Sequence, residues 1–277
     1  MNNVKKWSEE DIKFLKENYT RYTNQELSEK LNRTKASVQI KIRKLGLKRE
    51  EKYNYNKDFF KVIDTEEKAY WLGFIYADGY VSYNVEKRNY ELGIELQIGD
   101  VNHLKKFNKS INGNLEIKIK DRYDKRYDKT YNHCIIRIYD KQMVEDLKEN
   151  GVIPNKSHII KFPNLKKDLI IPFIRGFFDG DGCLQLNRQR ECHRFDFACA
   201  SIDFVNQLRS VLYNDYNINS YIIKDGNIYR LNIRGLTNAY LFGSLIYDNS
   251  TIYLDRKYNK FYNIIKEYNI ENRIHIK

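Results

Sequence analysis

The sequence predicts an α+β protein in which two pseudo-symmetric αββαββα halves follow a small trihelical helix-turn-helix domain. Three observations support this fold class. An apolar helix that ends on Asp-Gly occurs twice, the helix and strand periodicities after it recur in the same order, and the N-terminal segment has the spacing of short helices. With 42% hydrophobic residues among 277, the chain can bury a core of this size.

The N-terminal segment, residues 1–48, has the caps and the apolar spacing of three short helices. Ser8 and Thr34 are placed to cap the first and third helices, a second helix begins near Asn24, and Gly46 ends the third. Three helices with a tight turn before the last are typical of a helix-turn-helix module. The segment is therefore predicted to be a domain of its own.

The third of these helices has a polar outer face with the spacing i, i+4 and i+8. Its residues are Lys35, Gln39 and Arg43. Basic and amide side chains at this spacing can enter a DNA major groove, which predicts DNA binding by this module. The alternative is an ordinary solvated helix surface in a protein-interaction bundle.

The rest of the chain is predicted to be a linker, residues 49–62, and two halves, residues 63–163 and 164–277. Each half has the pattern helix, strand, strand, helix, strand, strand, helix. In the first half these elements are 66–78, 79–85, 91–98, 100–111, 115–121, 133–139 and 140–149. In the second half they are 168–181, 182–187, 194–200, 202–214, 220–224, 228–234 and 236–247, and a further helix closes the chain.

Each half begins with a helix that ends on an aspartate, WLGFIYADG with Asp78 and IRGFFDGDG with Asp181. Negative charge is disfavoured at a helix C-terminus, so two such helices need an explanation. Both helices also carry small residues four apart, which would let them cross with their backbones in contact. These small residues are Gly73 and Ala77 in the first motif, and Gly176 and Gly180 in the second.

Docking of the two helices would bring Asp78 and Asp181 together, where their charges repel. A divalent cation resolves the conflict. Mg²⁺ (or Mn²⁺) is predicted because Mg²⁺ prefers oxygen ligands and is commonly held by one or two carboxylates with phosphate oxygens. A single Asp-Gly at a helix end is normally only a cap, but two copies in a repeated fold favour metal binding. Gly79 and Gly182 are predicted to take positive φ so that a strand can start after each acid.

Over roughly residues 60–270 the sequence resembles LAGLIDADG homing endonucleases that carry two motifs in one chain. Both motifs keep the acid at the eighth position. The resemblance implies a saddle of two sheets across duplex DNA, paired acids that bind divalent metal, and cleavage of both strands across the minor groove, as in intron homing. The N-terminal segment, with Trp7, EED and RTKASVQIKIRKLGLK, resembles the Myb-like helix-turn-helix modules of phage and bacterial nucleases.

The resemblance also implies a lysine near each active site, for which Lys156 and Lys257 are the candidates. A lysine beside a scissile phosphate can stabilise developing charge or polarise a water. The alternatives are a DNA-backbone contact for Lys156 and a solvated helix start for Lys257.

Two motif positions depart from the family pattern. The sixth position is Tyr76 in the first motif, where the family prefers the Asp that the second motif has as Asp179. In the family this position serves structure near the helix end, so the chemistry is not expected to change. Arg175 replaces a small residue in the second motif and is expected to face away from the interface.

Charge and composition indicate which kind of partner the protein binds and in which cellular compartment it is found. The formal charge of +12 predicts a polyanionic partner, with double-stranded DNA as the first candidate. No apolar run is long enough to cross a membrane and no signal peptide follows Met1, which predicts a cytoplasmic protein of a phage, bacterial or organellar host compartment, not a secreted one. The four cysteines lack metal-ligand spacing and are predicted to be reduced thiols.

Alternating polar residues on the predicted strands are candidates for DNA contacts. Such side chains read base edges or bind phosphates, although any single one has a solvated surface as its simpler explanation. The candidates are Lys118, Lys120, Arg122 and Arg137 in the first half, and Gln185, Asn187, Lys224, Arg230, Asn232 and Arg234 in the second. The loops YNVEKRNY and DRYDKRYDKTYN could extend the footprint.

The sequence therefore predicts a monomeric, site-specific double-strand DNA endonuclease that hydrolyses phosphodiester bonds with divalent metal held by Asp78 and Asp181. Two alternatives use the same scaffold: an RNA maturase and a non-cleaving DNA-binding regulator. A small-molecule enzyme is disfavoured because the sequence has no Gly-rich phosphate loop and no nucleophile triad.

Overall fold

The structure is a computed structural model and describes residues 6–48, 53–125, 128–187 and 192–268. The chain divides into two compact units, Met1–Asn54 and Tyr55–Lys277. In the described ranges no helix has both the length and the apolar character needed to cross a membrane.

The first unit contains three helices, as predicted: α1 (Glu9–Asn18), α2 (Asn24–Lys30) and α3 (Lys35–Lys44). The side chains of Ser8, Thr23 and Thr34 cap them by accepting hydrogen bonds from the first-turn N–H groups. Gly46 follows the last helix with a φ of 66°. A small core holds the helices together and consists of Leu15, Leu27, Leu31 and Val38.

The second unit has the predicted αββαββα order twice. The first half contains α4 (Glu66–Ala77), β1 (Gly79–Asn84), β2 (Asn89–Gln97), α5 (Val101–Ser110), β3 (Lys118–Asp124), β4 (Lys129–Ile138) and α6 (Lys141–Glu149). The second contains α7 (Lys167–Asp181), β5 (Gly182–Asn187), β6 (Cys192–Cys199), α8 (Ile202–Tyr216), β7 (Tyr221–Asp225), β8 (Ile228–Arg234) and α9 (Leu236–Tyr247). The final helix is α10 (Asp255–Tyr268).

Each half has one antiparallel four-stranded sheet, and the strand orders match: β1-β2-β4-β3 and β5-β6-β8-β7. The register matches as well. Gly79 pairs with Ile94, and Gly182 pairs with Phe197, so both partners are shifted by 103 residues (182 − 79 and 197 − 94). The two motif acids have the same separation, which makes the duplication a property of the fold.

The sheets are amphipathic because side chains alternate along each strand. Alternate residues such as Leu92 and Ile94, or Phe195 and Phe197, are buried. Helices α5 and α6 pack on the first sheet, and α8 and α9 on the second. The opposite face of each sheet carries mainly polar residues.

Helices α4 and α7 cross with their backbones in contact, as the small residues predict. A Cβ atom on Gly73 would overlap the main-chain oxygen of Phe173, and one on Gly176 would overlap that of Tyr70. One turn further along, a Cβ on Gly180 would overlap the side chain of Ala77. The crossing therefore depends on the absence of side chains at these points.

The predicted positive φ at Gly79 and Gly182 is wrong. Gly182 has φ −77° and ψ 154°, and neither residue is among those with positive φ. A Cβ at Gly79 would instead lie 2.7 Å from Cγ2 of Ile75, and one at Gly182 would overlap the ring of Phe178. Glycine is needed here because the strand starts close against the last helical turn.

Two other boundaries differ from the prediction. The predicted linker, 49–62, is too long, because residues 55–62 belong to the second unit and bury Phe59 and Phe60. Residues 121–124 and 129–132 were predicted to belong to a loop and instead extend strands β3 and β4, which pair up to Asp124 and Lys129. Charged residues at high density hide the strand alternation in this hairpin.

Candidate metal and nucleic-acid site

Asp78 and Asp181 lie at the C-terminal ends of the two crossing helices. Asp78 is the C-cap residue of α4, and Asp181 is the last residue of α7. A Cβ built on Gly180 would lie 3.5 Å from Cγ of Asp78, so the main chain directly before Asp181 passes close to the other acid. The helix crossing thus brings together the two acids of the motifs.

The two carboxyl groups are electrostatically coupled. The pKa of Asp181 is raised to about 6, first because protein atoms surround the carboxyl group and second because the charge of Asp78 is near. Asp181 still keeps exposed surface, so it is enclosed by protein on one side and open to solvent on the other. Burial also raises the pKa of Asp78, whereas the positive charges of Lys257, Arg256 and Lys156 lower it.

Two lysines explain how the helices can end on acids. Lys156 donates a hydrogen bond from Nζ to the main-chain oxygen of Gly79, at 2.5 Å, directly after Asp78. Lys257 donates from Nζ to the oxygens of Phe178, Gly180 and Gly182 at 2.6, 3.0 and 2.5 Å. Each lysine therefore places a positive charge on the negative end of a motif helix.

Both lysines are buried, with 9% of Lys156 and 5% of Lys257 exposed. The solvated helix start considered for Lys257 is wrong, because its ammonium group is buried and bonded to main-chain oxygens. For Lys156, a contact to the DNA backbone stays a prediction. Burial lowers the pKa of Lys156 and lowers that of Lys257 to about 8. For Lys156 the neighbouring charges of Asp181 and Asp78 oppose this shift.

The sixth motif position is structural in both halves. Asp179 is fully buried and accepts hydrogen bonds from the hydroxyls of Tyr70 and Tyr247, both at 2.8 Å, and from the N–H of Leu254 at 2.7 Å. Tyr76, at the same position of the first motif, donates from its hydroxyl to the oxygen of Asn150 at 2.7 Å. Both side chains thus tie a motif helix to the segment that leads to a lysine.

The expectation that Arg175 faces away from the interface is wrong. Its side chain is buried and pairs with Glu66 of the other half, while Nη1 donates to the oxygen of Ile246 at 2.8 Å. The guanidinium also lies 5.6 Å from the ring centre of Tyr70. A long side chain with several hydrogen-bond donors can bridge two halves where a small residue would only allow contact.

On the first sheet, the predicted basic residues share the face opposite the helices. Lys118, Lys120 and Arg122 alternate along β3 and pair with Ile135, His133 and Tyr131 of β4. Arg137 lies on the same face of β4, two residues from Ile135. Its Nε is 3.0 Å from a carboxylate oxygen of Glu91, which fixes the direction of the guanidinium.

On the second sheet, Gln185, Arg230, Asn232 and Arg234 share the corresponding face. Lys224 does not, because it pairs with Tyr229, which alternates with Arg230. The prediction that Lys224 shares the polar face is wrong, because the two-residue turn after Asp225 pairs even-numbered residues of β7 with odd-numbered residues of β8. Asn232 is buried, and its Oδ1 accepts a hydrogen bond from Arg234 at 2.8 Å. Asn187 ends β5, and its side chain lies outside the described part of the structure.

Comparison with known proteins identifies this architecture. Residues 168–247 match the LAGLIDADG-like domain family. Over 73% of this chain and 91% of its own, the homing endonuclease I-WcaI bound to its DNA recognition sequence superposes with a TM-score of 0.53 at 15% identity. The chain has the LAGLIDADG fold. The LAGLIDADG meganuclease I-AabMI bound to uncleaved DNA gives 0.50 at 14% identity, covering 74% of this chain and 91% of its own. No curated protein sequence matches the chain.

The family match covers only the second half, yet the first half has the same strand order. The two copies of the LAGLIDADG fold have therefore diverged in sequence while keeping their topology. Tyr76 is one visible departure, since the second copy keeps Asp179 at that position.

Several residues of the exposed sheet faces were missed by sequence reasoning. His133 lies directly opposite Lys120 on the first sheet, and Arg194 and Asp196 form an ion pair at 2.6 Å on the second. The alternation in CHRFDFACA, with Phe195 and Phe197 inside, could have found the last two. Sequence reasoning also missed the ion pair between Asp100 and Arg256, which joins the two halves and which no local pattern indicates.

In the N-terminal unit, the three polar residues of α3 are all exposed, as predicted. Lys35, Gln39 and Arg43 are exposed, whereas Val38 of the same helix is buried. This arrangement leaves the face available for a partner.

The acids of the LAGLIDADG fold fit a divalent cation by their chemistry. Two carboxylates repel each other at the ends of two helices, and one of them keeps solvent access. Over the described ranges, no group of three or more His, Cys, Asp or Glu residues could hold a metal ion. A cation here would therefore need water, main-chain or substrate oxygens as its further ligands, which is how Mg²⁺ is commonly held.

Proposed function

We propose that this protein is a site-specific DNA endonuclease that uses divalent metal, Mg²⁺ or Mn²⁺, and cuts both strands of its target. The observation that carries the proposal is the pair Asp78 and Asp181 at the ends of the crossing helices, where burial and the charge of Asp78 both raise the cost of ionising Asp181. Two solved proteins of the same fold are described as a homing endonuclease and a meganuclease, each bound to DNA.

Asp78 and Asp181 would hold the metal through their carboxylate oxygens. When bound, the divalent cation supplies a Lewis acid that lowers the pKa of water and neutralises charge on the phosphate. Hydrolysis then adds one water across one phosphodiester bond in each strand. The main-chain bonds from Lys257 fix the residues on both sides of Asp181.

Lys156 and Lys257 are proposed to act differently. Lys257 directs all three of its N–H groups to main-chain oxygens, so it acts as a positioning residue. Among the described residues, Lys156 donates from Nζ to Gly79 and keeps donors that can turn to a phosphate oxygen. A positive charge at that point would stabilise the charge that develops during hydrolysis.

The open, polar faces of the two sheets are the proposed DNA contact. Arg and Lys on these faces suit phosphates and guanine edges, and the chain has a net charge of +12. Because the two halves differ in sequence, one chain acting as a monomer would recognise a long and only partly palindromic site. The α3 face, with Lys35, Gln39 and Arg43, would add contacts outside that site. Such a substrate requires a compartment that contains DNA, the cytoplasm or an organelle.

The test is selection of cleaved sequences from a randomised duplex library with Mg²⁺ or Mn²⁺. Once a target is known, Asp78→Asn and Asp181→Asn should abolish double-strand cleavage and retain DNA binding, because only the ligands of the metal change. Asp58→Asn, at an exposed acid, is the matched control. Full cleavage by Asp181→Asn would contradict the site, and binding without cleavage by the unmodified chain would favour a DNA-binding regulator or an RNA maturase.

A further inference from the structure

The segment that carries Lys257 is anchored on the first half of the fold. Lys106 of α5 donates from Nζ to the oxygen of Tyr253 at 2.9 Å and to a carboxylate oxygen of Asp255 at 2.7 Å. Arg256 donates from Nε to both carboxylate oxygens of Asp100, at 3.1 and 2.9 Å. Asp100 is buried, so this pair is shielded from water on the acid's side.

The segment that carries Lys156 is anchored on the second half. The hydroxyl of Ser201 donates to the oxygen of Ile160 at 2.7 Å, and Oε1 of Gln207 accepts from the N–H of Phe162 at 2.8 Å. Ser201 is the N-cap residue of α8 and Gln207 lies within that helix, just as Asp100 is the N-cap residue of α5 and Lys106 lies within that one.

These anchors occupy equivalent places in the duplicated fold. Ser201 follows Asp100 by 101 positions, and Gln207 follows Lys106 by the same number (201 − 100 and 207 − 106). The contacts differ in chemistry, ion pairs in one case and neutral hydrogen bonds in the other, but the geometry is reciprocal. Each lysine bonds to a motif of its own half while its segment rests on the opposite half.

We propose that Arg256 and Gln207 are positioning residues that act across the two halves and set the rates of cleavage of opposite strands. Arg256 holds the segment from which Lys257 donates hydrogen bonds to the main chain on both sides of Asp181. Gln207 holds the segment from which Lys156 reaches the main chain after Asp78. This inference rests on the proposed nuclease function. Loss of one anchor moves one lysine and leaves the other in place.

The decisive experiment compares Arg256→Gln with Gln207→Leu on a supercoiled plasmid that contains the selected target, with each strand followed separately. Each variant should accumulate nicked circles, with one strand cut on the order of tenfold to a hundredfold more slowly, because small misplacements of catalytic geometry have effects of this size. The slow strand should differ between the two variants, while the Kd for target DNA stays unchanged. Arg256→Lys should restore part of the rate by keeping the charge.

Lys61→Gln is the matched control, because Lys61 forms an exposed pair with Asp58 at 3.8 Å and touches neither segment. The proposal is overturned if both variants slow the same strand, slow both strands equally, or leave the ratio of the two strands unchanged.

A second measurement needs neither DNA nor activity. The N–H of Leu254 donates to Asp179, and the N–H of Ile160 donates to the oxygen of Lys156 at 3.0 Å, so both amides report on their segments by hydrogen exchange. Arg256→Gln should speed exchange around Leu254 and not around Ile160, and Gln207→Leu should do the reverse. Unchanged exchange in both variants overturns the anchoring. Absence of cleavage by the wild-type protein instead overturns only the proposed nuclease function.

Discussion

Gly73 and Gly176 face each other's helices in a reciprocal arrangement. A Cβ on Gly73 would overlap the oxygen of Phe173, three residues before Gly176, and a Cβ on Gly176 would overlap the oxygen of Tyr70, three residues before Gly73. The obstacle is main chain in both cases, which cannot turn aside as a side chain can. The distance between the helices, and therefore the distance between the two acids, depends on these two residues.

We expect Gly73→Ala and Gly176→Ala each to lower the free energy of unfolding by about 3 kcal/mol or more, because overpacking against main chain forces the helices apart. Urea denaturation would measure the change. Gly99→Ala is the control, since a Cβ there meets nothing within 4 Å and the residue lacks positive φ. An equal, small effect at all three positions would show that the helix crossing tolerates methyl groups.

Substitution of Asp179 should destabilise the protein without touching the metal ligands. Both carboxylate oxygens of Asp179 accept hydrogen bonds, and in Asp179→Asn one of them becomes an amide nitrogen, which cannot accept. A buried donor then stays unpaired, which costs about 1–3 kcal/mol or more. Tyr247→Phe removes one donor and should cost less. Denaturant titration would measure the free energy of unfolding of both variants. The control, Asp58→Asn, should have a free energy of unfolding within about 0.5 kcal/mol of wild type. A neutral Asp179→Asn would contradict the hydrogen-bond network.

The stability of the metal-free protein should depend on the ionisation of Asp181. Its pKa in the folded state is about 6, above its ordinary 3.8, so the folded protein binds this proton more tightly than the unfolded chain. The ionised carboxyl therefore costs stability above pH 6, and this cost fades as the pH falls from about 6 toward 3.8. In EDTA at pH 7.5, Asp181→Asn should have a higher Tm than wild type, and the difference should shrink in acid.

Addition of Mn²⁺ at pH 7.5 should raise the Tm of wild type more than that of Asp181→Asn, because ligand binding to the folded state stabilises it. Equal shifts in the two proteins would place the cation elsewhere. In the metal-free protein Asp181 takes up a proton near pH 6, and this proton competes with the cation, so more Mn²⁺ should be needed for half-maximal cleavage as the pH falls below about 6.

DNA affinity should distinguish the two faces of the second sheet. Arg234→Ala removes an exposed charge from the polar face, and we expect weaker binding and a salt-dependence slope that is smaller by about 0.9 for each phosphate no longer neutralised. Lys224→Ala removes the same charge from the opposite face and should change binding much less. Fluorescence anisotropy over a range of salt concentrations makes the comparison. Equal effects of the two substitutions would indicate that only net charge matters.

The architecture was predictable from local patterns. The period of two in β5 and β6, the caps of the N-terminal helices and the small residues of α4 and α7 are each visible within a dozen neighbouring residues. Because the duplication repeats these patterns, the strand order and the pairing of the two acids also followed. The boundaries failed where local periodicity is weak, in the hairpin between β3 and β4 and in residues 55–62.

Long-range polar contacts were not predictable. Arg175 was expected to face away from the interface because it is larger than the usual small residue of the motif, but it pairs with Glu66, which is 109 residues away in sequence. The roles of Lys156 and Lys257 were left open for the same reason. Both lysines bond main-chain oxygens, which every residue type carries, so the sequence does not indicate these partners. Similarly, nothing in the sequence beside Arg256 indicates Asp100.

The buried bridge between Arg175 and Glu66 limits how the halves of this protein can be recombined. If the first half were replaced by that of a relative, Arg175 would still require a carboxylate at the position of Glu66 and a tyrosine at the position of Tyr70. Chimeric proteins built from this chain must therefore keep Glu66 and Tyr70 together with Arg175, or replace Arg175 and Glu66 together.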